Sequence, residues 1–161
     1  MSEHKATIEW RFSGDDFVRG KFSREHVWSF DGGLTVPASA TPAVVPPPLS
    51  NPAAVDPEEA FVAALSSCHM LTFLFLAARA GFHVTSYHDD AVGQLTKNEK
   101  RIPWISSVEL HPRVEYSGDK RPTPEEQDRL HHDAHEYCYI GNSVKTAVTV
   151  VIDRGKPDAA T

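Results

Sequence analysis

Cysteine is scarce. The two in 161 residues, Cys68 and Cys138, are too few and too far apart for the disulfide framework of a small secreted domain. The expected setting is therefore a reducing cytoplasm, where a thiol is either core filler or reactive. Basic residues are outnumbered, 16 Lys and Arg against 22 Asp and Glu, for a formal net charge of −6. That argues against nucleic-acid and anionic-membrane partners, because phosphate contacts need clustered positive charge. No basic segment followed by an apolar run opens the chain, so no secretory leader is expected. The signatures GxGxxG, GxxxxGK and GxSxG are missing, which removes the usual dinucleotide, P-loop and serine-nucleophile readings. There is no internal repeat beyond two similar helix starts.

The dominant feature is the stretch Asp56 to Ala80, DPEEAFVAALSSCHMLTFLFLAARA. Asp56 suits an N-cap, Pro57 the first helical position, and Glu59 completes a capping box. Glu58 and Glu59 complement the positive end of the helix dipole. Arg79 and Gly81 mark the C-terminal end. The rod is roughly 36 Å long at 1.5 Å per residue. Ala60 to Ala78 is apolar on nearly every face, apart from Ser66, Ser67, Cys68, His69 and Thr72, so the helix is expected to be buried on all sides with Cys68 central. Its length also fits a membrane span. The mid-span polar cluster, the capped ends and the lack of a second such segment favour a core helix.

Around it the chain reads as strands. Ile8, Trp10 and Phe12 alternate with polar residues, Gly14-Asp15-Asp16 reads as a turn, and Phe17 to Phe30 as one or two strands. Asp31-Gly32-Gly33 is a turn and Leu34 to Ser39 a short strand. Residues 41–55 hold five prolines and form neither helix nor central strand, so they are an extended connector. Phe82 to Lys97 and Trp104 to Ser117 read as two long strands of a hairpin, with imperfect alternation that predicts bulges. Thr123-Pro124-Glu125-Glu126 starts a second helix running to about Tyr137, and Thr146 to Ile152 is a last strand. The tail from Gly155 is expected to be disordered. The fold class is α+β, an antiparallel sheet wrapped around a long central helix with a second helix, in one domain spanning 1–161.

Three sets of residues carry candidate chemistry. Cys68 is either a small core hydrophobe or a nucleophile. Mid-helix it gains nothing from the dipole, so a buried thiolate would need a cation, and Arg19 or Arg24 could point inward from the strands. Cys138, after the second helix, either packs a helix end or resolves Cys68 as a redox partner. His131 and His135, at i and i+4 in HHDAHE, are either a solvated face or two ligands of a metal lacking an evident third. His69 points about 100° from Cys68 and is a poor direct base.

PEEAFVAALSSCH with the late CYIGNSVK resembles the OsmC/Ohr family of thiol-dependent hydroperoxide reductases. Glu58, Cys68 and Cys138 match that family's pattern, the order of elements agrees over nearly the whole chain, and SREHVWSFDGG is closer to the OsmC branch. The chain departs from the family in His69, in Tyr139-Ile140-Gly141 and in the Pro-rich connector. The resemblance implies an intertwined homodimer with the Cys-bearing helices central. It implies that Cys68 attacks the peroxide and becomes a sulfenic acid, that Cys138 closes a disulfide, and that Glu58 and an arginine assist. Arg24 is favoured over Arg19. The resemblance implies no bound cofactor, an external dithiol or lipoyl-type reductant, and organic hydroperoxides as substrates, with hydrogen peroxide as a secondary candidate. Glu58 and Cys68 are about 15 Å apart on one helix, so a composite site with Glu58 from the second chain is expected. Phe61, Leu65, Met70 and Phe73 are either core or the wall of an alkyl pocket. The rival reading is a non-catalytic OsmC-like dimer that binds an apolar ligand or serves as a stress-induced structural protein.

Overall fold

The computed structural model describes residues 2–152; the tail expected to be disordered lies outside them. The order of elements is β1 (Ala6–Glu9), β2 (Gly14–Asp16), β3 (Lys21–Phe22), β4 (His26–Phe30), β5 (Thr35–Ala38), α1 (Pro57–Arg79), β6 (His83–Asp89), β7 (Val92–Lys97), β8 (Pro103–Leu110), β9 (Pro112–Ser117), α2 (Pro124–Glu136) and β10 (Ala147–Val150). This is the α+β class the sequence predicts, with two helices and antiparallel sheets. Two compact units divide it, residues up to Ala60 and residues from Phe61 onward.

In the first unit β1, β4 and β5 form an antiparallel sheet, with Trp28 paired to Ile8 on one side and Val36 on the other. Gly14-Asp15-Asp16, expected as a turn, is instead β2, paired with β3. The reversal lies later, where the Gly20 N–H bonds Phe17 O at 2.9 Å and Gly20 has φ +75°, a conformation glycine adopts without strain. Trp10 and Phe12, expected in the first strand, lie beyond its end and cluster with Phe17 and Phe22. The Pro-rich connector is extended and turning, and returns through a bridge from Val55 to Ala38.

Both helices begin as the sequence predicts. Asp56 Oδ1 accepts from Glu59 N at 2.8 Å while Asp56 N donates to Glu59 Oε2 at 3.1 Å. Thr123 and Glu126 make the same reciprocal pair at α2. Each box satisfies two otherwise orphaned amides. At the far end of α1, Gly81 (φ +78°) donates to Ala78 O and Phe82 to Ala77 O, a Schellman stop.

The second unit holds the core. The long hairpin bends, so its outer halves pair as β6 and β9 and its inner halves as β7 and β8. Asp89 sits at the corner, its carboxylate accepting from Ser66 Oγ and from the His111 N–H. Irregularities fall at Val84/Ser86 and Gln94/Leu95, as the broken alternation predicts. One pairing is parallel: β10 beside β8. The chain reaches β10 by way of α2, a crossover rather than a hairpin, which permits parallel entry.

α1 buries one stripe, Leu65, His69, Phe73 and Ala77, spaced i, i+4 as one helix face requires. Phe73 and Ala77 pack with Phe82, Leu130 and Ala134; Leu65 packs with Val108 and Leu110. A Cβ on Gly93 would lie 2.6 Å from Val62 Cγ2, so glycine lets β7 approach α1 closely. The expectation of burial on every face is corrected within one chain, because Leu71 and Phe75 are 62% and 59% exposed. One chain supplies cover for only one side of this helix.

Candidate functional site

Cys68 and Cys138 meet. Cys68 stands midway along α1 and is half-buried rather than central, whereas Cys138 is 3% exposed. The segment after α2 brings them together. Cys138 N bonds His135 O at 3.2 Å, and its carbonyl accepts from Asn142 N and Nδ2, both at 2.9 Å. Asn142 Nδ2 also reaches Glu136 O at 2.8 Å, so the loop is clamped to the helix end. A short 3-10 turn, Gly141–Ser143, follows.

Gly141 N donates to Cys138 Sγ at 3.2 Å and the preceding amide, Ile140 N, to Cys68 Sγ at 3.5 Å, so the two thiols are neighbours. Burial, reinforced by the nearby Cys68 thiol, pushes the Cys138 thiol up to about 11, while the Gly141 amide pulls the other way. Cys138 therefore keeps its proton through neutral pH. A buried thiol beside a more exposed one is an arrangement suited to attack by one sulfur and disulfide closure by the other.

Glu58 and Arg24 belong to the first unit. Glu58 lies in the first turn of α1, and its Oε2 is buried with no hydrogen-bond partner among the described residues. Arg24 Nη1 donates to Gly20 O and Phe22 O at 2.8 and 2.5 Å, and its guanidinium stacks 3.7 Å from the Phe22 ring centroid. Arg19 is exposed and pairs with Asp16 at 3.4 Å. The Arg24 backbone is pinned as well, its N–H on Leu49 O and its C=O on His26 Nδ1.

His69 and His131 form a pair that sequence reasoning missed. Their rings are 1% and 2% exposed, parallel within 1°, and joined by a 3.1 Å bond between His69 Nε2 and His131 Nδ1. His131 also stacks on Phe73 at 4.3 Å. The outer nitrogens, His69 Nδ1 and His131 Nε2, are buried without a partner among the described residues. Burial lowers both rings to about 4. His131 is thus not on a solvated face; it lines an outer cleft together with its i,i+4 partner His135 and with His132. Among the described residues no three His, Cys, Asp or Glu side chains gather as metal ligands would. The signal was present: His69 falls on the Leu65–Phe73–Ala77 stripe, and His131 stands between the apolar Leu130 and Ala134.

Leu65 and Phe73 are core, and Phe61 packs against the Leu65 cluster, so these three follow the core reading. An apolar groove of about 730 Å³ runs along Leu71, Phe75 and Leu76 toward Tyr137 and Tyr139.

An α+β chain with a dithiol joining its two helices defines a class of thiol protein. Residues 50–153 match the model of the OsmC-like protein family, and the chain belongs to that family. It is 51% identical to a solved OsmC-like protein of unknown function from Vibrio cholerae, over 95% of this chain and 100% of that one, with a TM-score of 0.92. An organic hydroperoxide resistance protein from Elizabethkingia anophelis is 19% identical with a TM-score of 0.69, covering 95% of this chain and 98% of its own. OhrB of Bacillus subtilis is 17% identical with a TM-score of 0.66, covering 94% and 98%. These last two share the fold. No curated protein matches the sequence.

Proposed function

We propose that the protein is a cysteine-based peroxidase that reduces organic hydroperoxides at the expense of an external dithiol. The observation that carries this reading is the contact between Cys68 and Cys138, one sulfur accessible and the other buried as a proton-bearing thiol. The Cys68 thiolate attacks the terminal oxygen of ROOH. The O–O bond breaks, Cys68 becomes a sulfenic acid, and RO⁻ leaves as the alcohol after taking a proton. Cys138 sulfur then attacks Cys68 sulfur. The S–O bond breaks, and the hydroxyl departs with the Cys138 proton as water, leaving a disulfide. A dithiol, free or lipoyl-borne, returns both thiols by two exchanges.

Arg24 is the cation of the site and Glu58 the carboxylate that orients its fork. An ordered, part-buried guanidinium favours Arg24 over the exposed Arg19. The partnerless buried oxygen of Glu58 supports its role. The working form is a homodimer: the exposed Leu71 and Phe75 on a long apolar helix need cover, and Glu58 serves the Cys68 of the second copy. The setting is a reducing cytoplasm, and stress response is the physiological context.

The test is peroxide consumption with a dithiol, wild type against Cys68→Ser, offering tert-butyl and cumene hydroperoxide beside hydrogen peroxide. Turnover that disappears in Cys68→Ser and favours the organic substrates is the expected result. Absence of turnover in wild type, with both thiols still titratable after exposure, would overturn the peroxidase. It would leave the second reading, a non-catalytic OsmC-like dimer.

A further inference from the structure

The Ile140 N–H occupies an unusual place. It bonds no carbonyl among the described residues. It donates to Cys68 Sγ at 3.5 Å. Cys138 has its own donor in Gly141 N at 3.2 Å. Two consecutive amides thus face two sulfurs, one to each.

A neutral thiol is a weak acceptor and a thiolate a strong one. A donor on Cys68 therefore matters little in the resting dithiol and strengthens when that sulfur becomes negative. Charge stands on Cys68 as it attacks the peroxide. Such selective stabilisation of developing charge is how a fixed donor lowers a barrier.

We propose that the main-chain N–H of Ile140 is a catalytic group of the dithiol site, holding the Cys68 thiolate as it attacks. This rests on the peroxidase reading for its turnover consequences, but not for its effect on thiol reactivity. The loop is built to keep the amide there. Asn142 ties it to Glu136 and Cys138, Ser143 Oγ donates to Tyr139 O at 2.7 Å, and Ser143 N bonds Ile140 O at 3.0 Å. The side chain of residue 140 is incidental, so the group cannot be read from residue type.

Ile140 has φ −68°, close to the roughly −65° that proline imposes. Ile140→Pro therefore deletes the donor while matching the local backbone, and Ile140→Ala keeps the donor while deleting the side chain. The first measurement is alkylation of Cys68 by iodoacetamide at pH 7 in a Cys138→Ser background. Ile140→Pro should slow it about tenfold, the low end for losing a bond to a charged group, with Ile140→Ala near the parent. The second is single turnover with cumene hydroperoxide on the intact dithiol. Ile140→Pro should slow sulfenic acid formation, seen as later trapping by dimedone. Equal alkylation rates in Ile140→Pro and Ile140→Ala would overturn the proposal. Slowed alkylation in a protein that never consumes peroxide would overturn the peroxidase and leave the amide's role intact. If Ile140→Pro loses the wild-type circular dichroism, an amide-to-ester replacement at residue 140, which removes only the N–H, is measured in its place and judged by the same rates.

Discussion

Lowering the pH from 7 to 5 should destabilise this protein through two buried rings. His69 and His131 are 1% and 2% exposed and each is lowered from 6.5 to about 4, chiefly by burial. His135 and Asp89 also face His69, one lowering and the other raising it; His69 and Asp128 do the same for His131. Because the folded values lie below the unfolded one, the unfolded chain binds more protons between pH 6.5 and about 4. Stability is then fully present above 6.5 and lost as pH falls through that window. At pH 5 each ring contributes a loss of about 2 kcal/mol, from 1.36 kcal/mol per unit, and the pair about 4. With an m-value of about 2 kcal/mol per M the urea midpoint should fall by about 2 M. The assay is urea unfolding at one protein concentration across pH 7 to 4.5, wild type against His69→Leu/His131→Leu. Replacing both partners by apolar groups avoids a stranded polar atom. Identical pH slopes in the two proteins would refute the reasoning, since the variant has no imidazole at either position.

Phe73→Ala should cost about 3–5 kcal/mol of unfolding free energy in the same assay, because Phe73 is fully buried between Ala77 and Leu130. Leu71→Ala with Phe75→Ala should instead leave the folded chain intact and weaken self-association, read as later elution on size exclusion at low concentration; unchanged elution would count against that face as the dimer seam. Chains carrying Glu58→Ala mixed with chains carrying Cys68→Ser should keep turnover in the hybrid, where one site retains both groups, and a mixture as inactive as either parent would reject the composite site. Gly93→Val should destabilise by at least 1 kcal/mol through overpacking against Val62, measurable as a lower thermal midpoint.

Much of the fold was legible locally. Helix starts are written in a few adjacent residues, and the capping boxes at Asp56/Glu59 and Thr123/Glu126 form where side-chain reach and backbone geometry leave little choice. The Gly81 stop is likewise local. The strands of the hairpin were legible as pattern, but their break at Asp89 and His111 was not, because the corner is set by one carboxylate bonding a distant amide. The first turn was misplaced for a similar reason: Gly14 and Gly20 both suit a reversal, and only the pairing of β2 with β3 selects the second.

The sequence by itself determined the class of elements, the two cysteines and the family, since these depend on residue type and on spacing along the chain. The tertiary structure decided which groups meet. It brought the Ile140 amide to the Cys68 sulfur, turned His69 and His131 into a sealed pair, and left Leu71 and Phe75 uncovered on the face opposite the core. Those outcomes depend on contacts between residues some 60 to 70 positions apart, whose free energies are fixed only when helices, loop and sheet pack together.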